Sequence, residues 1–223
     1  MRKKNLLVFA AHPDDEVLGC GGTIKKLSKK YNVIVVFFST GITSRNSNNE
    51  NKKINQLKKD CMECNKILGT KKVIFFELKD NQLDSYPRLF IIKKIENILN
   101  IYKPEIVFTH YYSDLNIDHQ IVSNSTITAC RPIKKNNFLK KILFFETLSS
   151  TEWSIKRSFQ PNYYYEIDNF LSYKLKAMKK YKSEIQESPL PRSITTIEAL
   201  AKLRGSEINR KFAEAFFLYR KID

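Results

Sequence analysis

The sequence predicts an α/β fold, a Rossmann-like three-layer sandwich with a mostly parallel sheet. Short apolar runs alternate with segments of helical periodicity along the chain. The run at 33–38 (Val-Ile-Val-Val-Phe-Phe) is continuously apolar, as in a strand covered by helices on both faces. Polar residues gather just after the runs, where a parallel sheet opens its ligand crevice. At 223 residues the chain can bury a substantial core, so residues 1–223 are taken as a single domain.

The first strand is 6–11, ending in His12 and three carboxylates, Asp14, Asp15 and Glu16. Small residues follow (Gly19, Cys20, Gly21, Gly22), so a turn is expected there and a helix over 23–30. After the 33–38 strand comes a polar loop over 39–49 and a helix over 50–68, with Gly69 as its C′ residue. Next come a strand at 73–76, a loop at 80–84, a helix over 87–102 and a strand at 106–109 with His110 at its end. A polar loop to residue 118 leads into a helix over 119–130. The remainder reads as strands at 142–146 and 163–167, helices over 168–181 and 194–209, and a segment at 212–220 that either continues the last helix or, the reading taken, forms a final strand.

The formal net charge of +16 fits either an anionic partner or lysines scattered over solvated faces. The lysines occur in short runs through the whole chain, with no basic block interleaved with aromatics, so no specific nucleic-acid partner is expected. The apolar run behind Arg2-Lys3-Lys4 spans six residues, short of a signal-peptide core of roughly 7–15. No stretch approaches the ~20 apolar residues of a membrane span, so a cytoplasmic location is expected. Cys61 and Cys64 have zinc-like spacing, but no second pair completes it, and the apolar face of their helix makes them core residues.

In a parallel sheet the strand-end loops share one edge, so His12, Asp14, Asp15, Arg45, Asp80, Asp84, His110, Asp114, Asp118 and His119 can converge. Two histidines and a carboxylate leave open positions on zinc or ferrous iron, which suits catalysis. His12 and Asp15 can reach one ion across the Pro13 turn while Asp14 stays uncoordinated and free to accept a proton. Taken alone, the same residues also suit an acidic helix N-terminus.

Ala11-His12-Pro13-Asp14-Asp15-Glu16 with Gly19, Gly21 and Gly22 resembles the signature of the LmbE/PIG-L family of zinc-dependent N-deacetylases. The resemblance continues through 80–84, His110, Asp118-His119, Pro191-Arg192-Ser193 and Arg204-Gly205-Ser206. It implies Zn²⁺, or another divalent ion such as Fe²⁺, on His12, Asp15 and His119, with Asp14 as general base. It also implies removal of the N-acetyl group from an N-acetylglucosamine-type sugar. The block 114–119 resembles a subgroup linked to surface-polysaccharide sugars. Many members carry histidine three positions before the last ligand, where this chain has Asn116; asparagine donates a hydrogen bond but carries no positive charge.

Arg45, Asp80, His110, Asn116 and Arg192 are candidates for substrate contact, with His110 equally open to supporting the ligands and Arg192 to capping a helix; Asp118 suits support of a ligand histidine, a helix N-cap, or both. A non-catalytic module holding a nucleotide-sugar or other anionic ligand is the competing class. It is disfavoured by the missing third glycine of a dinucleotide motif and by the carboxylates at the turn. The partner is therefore expected to be a small-molecule or glycoconjugate substrate; the sequence leaves its linkage and the oligomeric state open.

Overall fold

Strand β1 (Lys4–Ala10) places Leu6, Val8 and Ala10 in one apolar cluster and Leu7, Phe9 and Ala11 in another. A strand that buries both sets of alternating side chains must carry helices on both faces, as a central parallel strand does. A computed structural model describes residues 3–40, 50–155 and 158–223. In it β1 is followed by helix α1 (Asp15–Leu27), β2 (Tyr31–Ser39), α2 (Glu50–Leu68), β3 (Lys72–Leu78) and α3 (Arg88–Tyr102). Then come β4 (Ile106–His110), α4 (Ile117–Ala129), β5 (Lys141–Phe145), β6 (Tyr163–Glu166), α5 (Leu171–Met178), α6 (Ile194–Ser206) and β7 (Ala213–Lys221).

The described residues form a seven-stranded sheet in the order β3-β2-β1-β4-β5-β7-β6. Pairings from β3 through β5 are parallel, and β7 runs antiparallel to both neighbours. Residues of α1, α2, α5 and α6 join the cluster on one face, and those of α3 and α4 join the other. The expected α/β class and mostly parallel sheet are thus the fold observed. The chain leaves β1 toward β2 and β3, then crosses back to lay β4 on the other side of β1. That reversal is the switch point where open α/β sheets bind ligands. No helix among the described residues is long and apolar enough to cross a membrane.

Two boundaries differ from expectation in ways that shape the site. Helix α1 begins at Asp15, and the turn expected at the glycines is reduced to a single break at Cys20 between two helical halves. The carbonyl of Asp14 accepts from Val17 N (3.1 Å) and Leu18 N (2.9 Å), so the helix starts inside the acidic motif. The glycines are there for proximity: a Cβ on Gly19 would lie 2.2 Å from Phe145 Cδ2, and one on Gly22 2.8 Å from Ile167 Cδ1. Helix α4 begins at Ile117 rather than at 119, because Asn116 Oδ1 accepts from Asp118 N and His119 N and caps it.

Candidate metal centre

The three histidines lie around this switch point, His12 after β1, His110 at the end of β4 and His119 in the first turns of α4. His12 Nδ1 is 3.3 Å from His119 Nε2 and 3.5 Å from Asp15 Oδ2, and His119 Nε2 is 3.3 Å from Asp15 Oδ1. A tetrahedral ion with bonds of roughly 2.0–2.1 Å holds neighbouring donors about 3.3 Å apart, so these three groups fit a zinc-like ion without moving far. Two imidazoles and a carboxylate suit zinc or ferrous iron better than magnesium or calcium.

The far side of each ring is held by a carboxylate. His12 Nε2 lies 3.1 Å from Asp118 Oδ2 and 3.2 Å from Asp80 Oδ1, which puts the proton on Nε2 of a neutral ring and frees the Nδ1 lone pair. Asp118 also accepts from Asn81 N (2.9 Å) and Leu83 N (3.0 Å), tying the 80–84 loop to the centre. His119 Nδ1 is 3.1 Å from Asp114 Oδ1, an ion-pair distance rather than an aligned hydrogen bond. Asp114 is in turn fixed by the hydroxyls of Ser150 and Thr151 and by Asn116 N.

Burial opposes charge on both rings, yet the surrounding carboxylates win. His12 is raised well above the usual histidine range, chiefly by Asp118 and Asp15, and His119 is raised to about 9 by Asp15 and Asp114. Burial would also raise Asp15, but the charge of His119, with the His110 ring beside it, holds it well below the usual carboxylate range. The cluster is built to hold a positive charge at its centre.

Asp14 stands beside it in the left-handed region at φ 113°, a conformation that side chains other than glycine, asparagine and aspartate rarely adopt. Its N–H donates to Glu16 Oε2 (3.1 Å), and Arg192 Nη1 lies 3.0 Å from both Asp14 Oδ2 and Glu184 Oε2. Burial and the Asp15 charge push the Asp14 carboxyl well up, and Arg192 pulls it back. Glu16 does more than cap a helix. Its Oε1 accepts from Tyr181 Oη (2.6 Å) and Asn65 Nδ2 (2.9 Å), and burial lifts its carboxyl to about 7.

His12, Asp14, Asp15, Asp80, Asn116, His119 and Arg192 all line one cavity of about 440 Å³, with Leu115, Thr147, Trp153 and Glu184 among the other walls. Of the two roles open to His110, the structure favours support of a ligand histidine over substrate contact. His110 is fully buried beneath the cavity, stacked on His119 at 3.9 Å, and accepts from Ala11 N at Nε2 (2.9 Å). Burial and His119 lower it to about 4, which favours a neutral ring packed behind the cavity wall. Asp80 sits on the wall but is turned to His12 and to Ser39 Oγ. Asp84 is exposed on the 80–84 loop, Arg204 pairs with Glu146 and Glu207, and Arg45 lies outside the described residues. The sequence places Asp114 at the converging loops without a role, and the pairing of Glu184 with Arg192, both on the connection between α5 and α6, has no motif to mark it.

The family model described as "PIG-L: GlcNAc-PI de-N-acetylase" matches residues 7–130. This chain belongs to the PIG-L family. This PIG-L chain is 31% identical to the "Uncharacterized deacetylase YaiS" of Escherichia coli K12, over 82% of the chain and 92% of the relative. Its structure matches that of the N,N′-diacetylchitobiose deacetylase of Pyrococcus horikoshii with a TM-score of 0.78 and 25% identity, covering 97% of this chain and 84% of the other. GalB, the 4-carboxy-2-hydroxymuconate hydratase of Pseudomonas putida KT2440, shares the fold alone (TM-score 0.80, 19% identity, 99% and 98% coverage). The fold therefore does not by itself fix the reaction, and the PIG-L chain's chemistry has to be argued from its site.

Proposed function

We propose that this PIG-L chain is a zinc-dependent hydrolase that removes the N-acetyl group from an N-acetylglucosamine-type sugar, free or within a glycoconjugate such as a surface-polysaccharide precursor. The observation that carries the reading is the convergence of His12 Nδ1, Asp15 and His119 Nε2 at 3.3–3.5 Å from one another, with Asp14 on the wall of the same cavity. The deacetylase relatives support the reaction class, and the diacetylchitobiose deacetylase supports the amino sugar.

When bound, a divalent ion on His12, Asp15 and His119 supplies an acidified water and a polarised acyl carbonyl. Asp118 and Asp114 keep the two rings oriented with their free lone pairs toward that point. Asp14 takes a proton from the attacking water at a carboxylate oxygen, and water oxygen adds to the acetyl carbon. Asp14 then returns the proton to the amine nitrogen as the C–N bond breaks, leaving acetate and the free amino sugar. Arg192 pulls the base toward its ionised form and aims it, and with Asn116 and Trp153 forms the wall that meets the sugar. The deciding experiment is metal analysis of the purified chain, with acetate release from N-acetylglucosamine derivatives (free, UDP-, lipid- and thiol-linked) before and after chelation. A chain that holds no divalent metal and stays inactive with added zinc overturns the proposal.

A further inference from the structure

Helix α1 is broken in its middle: Cys20 sits at φ −149°, ψ 25°, outside helical geometry. In an unbroken helix the N–H of Gly22 would donate to the carbonyl of Leu18. Here those two groups face a buried ion pair instead. Lys174 Nζ on α5 donates to Leu18 O (2.7 Å), and Glu214 on β7 accepts from Gly22 N at Oε1 (3.0 Å) and from Thr23 N at Oε2 (2.7 Å). Lys174 Nζ and Glu214 Oε1 are 2.6 Å apart, and both side chains are about 95% buried, with 5% and 4% exposed.

A buried ion pair is poor evidence of stability, because desolvation consumes most of what the attraction returns, and apolar replacements of equal volume are often as stable. This pair is placed where the backbone of α1 needs a donor and an acceptor. The break it holds separates the two jobs of the helix. The first half carries Asp15 at the centre, with Gly19 pressed on Phe145; the second half lies with Gly22 against Ile167. Straightening α1 would redirect the turn that sets Asp15 Oδ1 3.3 Å from His119 Nε2.

We propose that Lys174 and Glu214 are positioning residues for the metal-binding turn, holding the break in α1 that sets Asp15 and Asp14 against His119. The inference rests on the reading that His12, Asp15 and His119 bind a divalent ion. Its test is zinc affinity by chelator competition, with thermal midpoints of the metal-free proteins measured alongside. The variants are Lys174→Met/Glu214→Leu, which removes both charges, Glu214→Gln, which keeps the shape and one acceptor, and Leu99→Ala, a core truncation on α3 away from the break. Losses of about 10–100-fold in zinc affinity, the usual effect of disturbing ligand support, are expected for the double variant and a smaller loss for Glu214→Gln. Leu99→Ala should lower the midpoint and leave the affinity unchanged. Unchanged zinc affinity in the double variant overturns the proposal, and if that variant fails to fold, unchanged affinity in Glu214→Gln does so. Equal loss of affinity in Leu99→Ala overturns it too, since affinity would then follow global stability. A native chain that binds no zinc overturns the metal reading itself, a result distinct from native binding with unaffected variants.

Discussion

Asp14 carries two burdens that an ordinary capping aspartate would not: a φ of 113° and a buried carboxyl pushed well above its usual range by burial and by Asp15. Strain of about 1–3 kcal/mol at such a residue persists only where neighbours over-determine it, here Glu16 from below and Arg192 from above. Asparagine tolerates the same backbone and keeps the shape while losing the proton acceptor. Asp14→Asn should therefore lower kcat by about 10²–10⁴ while leaving bound zinc at the native level, checked by acetate release and metal analysis. The histidines make a second prediction. In the metal-free protein His12 and His119 stay protonated at neutral pH, His119 up to about 9. Zinc must displace those protons, so its affinity should climb as pH rises from 6.5 toward 9, with buffer-dependent proton release in calorimetry. The sign for stability is opposite. A histidine raised in the fold contributes most below its unfolded value, so the metal-free protein should lose stability across that same window. A zinc affinity flat with pH would count against both rings as ligands. These residues were legible because ligands three apart across a proline turn advertise themselves; the roles of Asp114 and Glu184 were not, since nothing in the local pattern says that one faces a ligand ring and the other the arginine beside Asp14.

Helix α1 shows where reading by element succeeds and fails. The alternation of apolar runs and amphipathic segments suffices to find the strands and helices, and Gly69 closes α2 at φ +81° as a C′ glycine should. Gly19, Gly21 and Gly22, by contrast, look like a turn because glycine weakens a helix by about 1 kcal/mol relative to alanine. The structure carries helix on both sides of a single break at Cys20, and the glycines are kept by packing: the helix lies so close to β5 that Gly19 has no room for a methyl beside Phe145. Gly19→Ala should then lower stability by about 1–3 kcal/mol in urea unfolding, through a displaced Phe145 ring. Combining it with Phe145→Leu should cost less than the sum of the two single changes, a coupling of about 0.5–3 kcal/mol that identifies the ring as the obstacle. Additive losses would mean that the helix backbone, rather than Phe145, resists the methyl.

At the scale of the whole molecule, the family match ends at residue 130, yet the site does not. Arg192, Glu184 and Trp153 line the cavity, Tyr181 holds Glu16, and Glu214 reaches the break in α1. The last strand could also be read as a continuation of the helix before it, and its place in the sheet was not legible at all. β7 enters between β5 and β6, a pairing between segments far apart in sequence that no local pattern encodes. Without β7, Leu143, Phe144 and Phe145 lose the partners Leu218, Phe217 and Phe216 and leave a bare apolar edge, the sort of edge that aggregates. A fragment of residues 1–150 keeps His12, Asp14, Asp15 and His119 and nearly all of the motif by which the family is recognised. It should nonetheless show no cooperative urea transition and no zinc affinity near that of the full chain, because the C-terminal segment supplies both a sheet neighbour and the groups that hold α1. A cooperatively folded fragment with full zinc affinity would instead make residues 7–130 self-sufficient and reduce the C-terminal segment to a substrate wall.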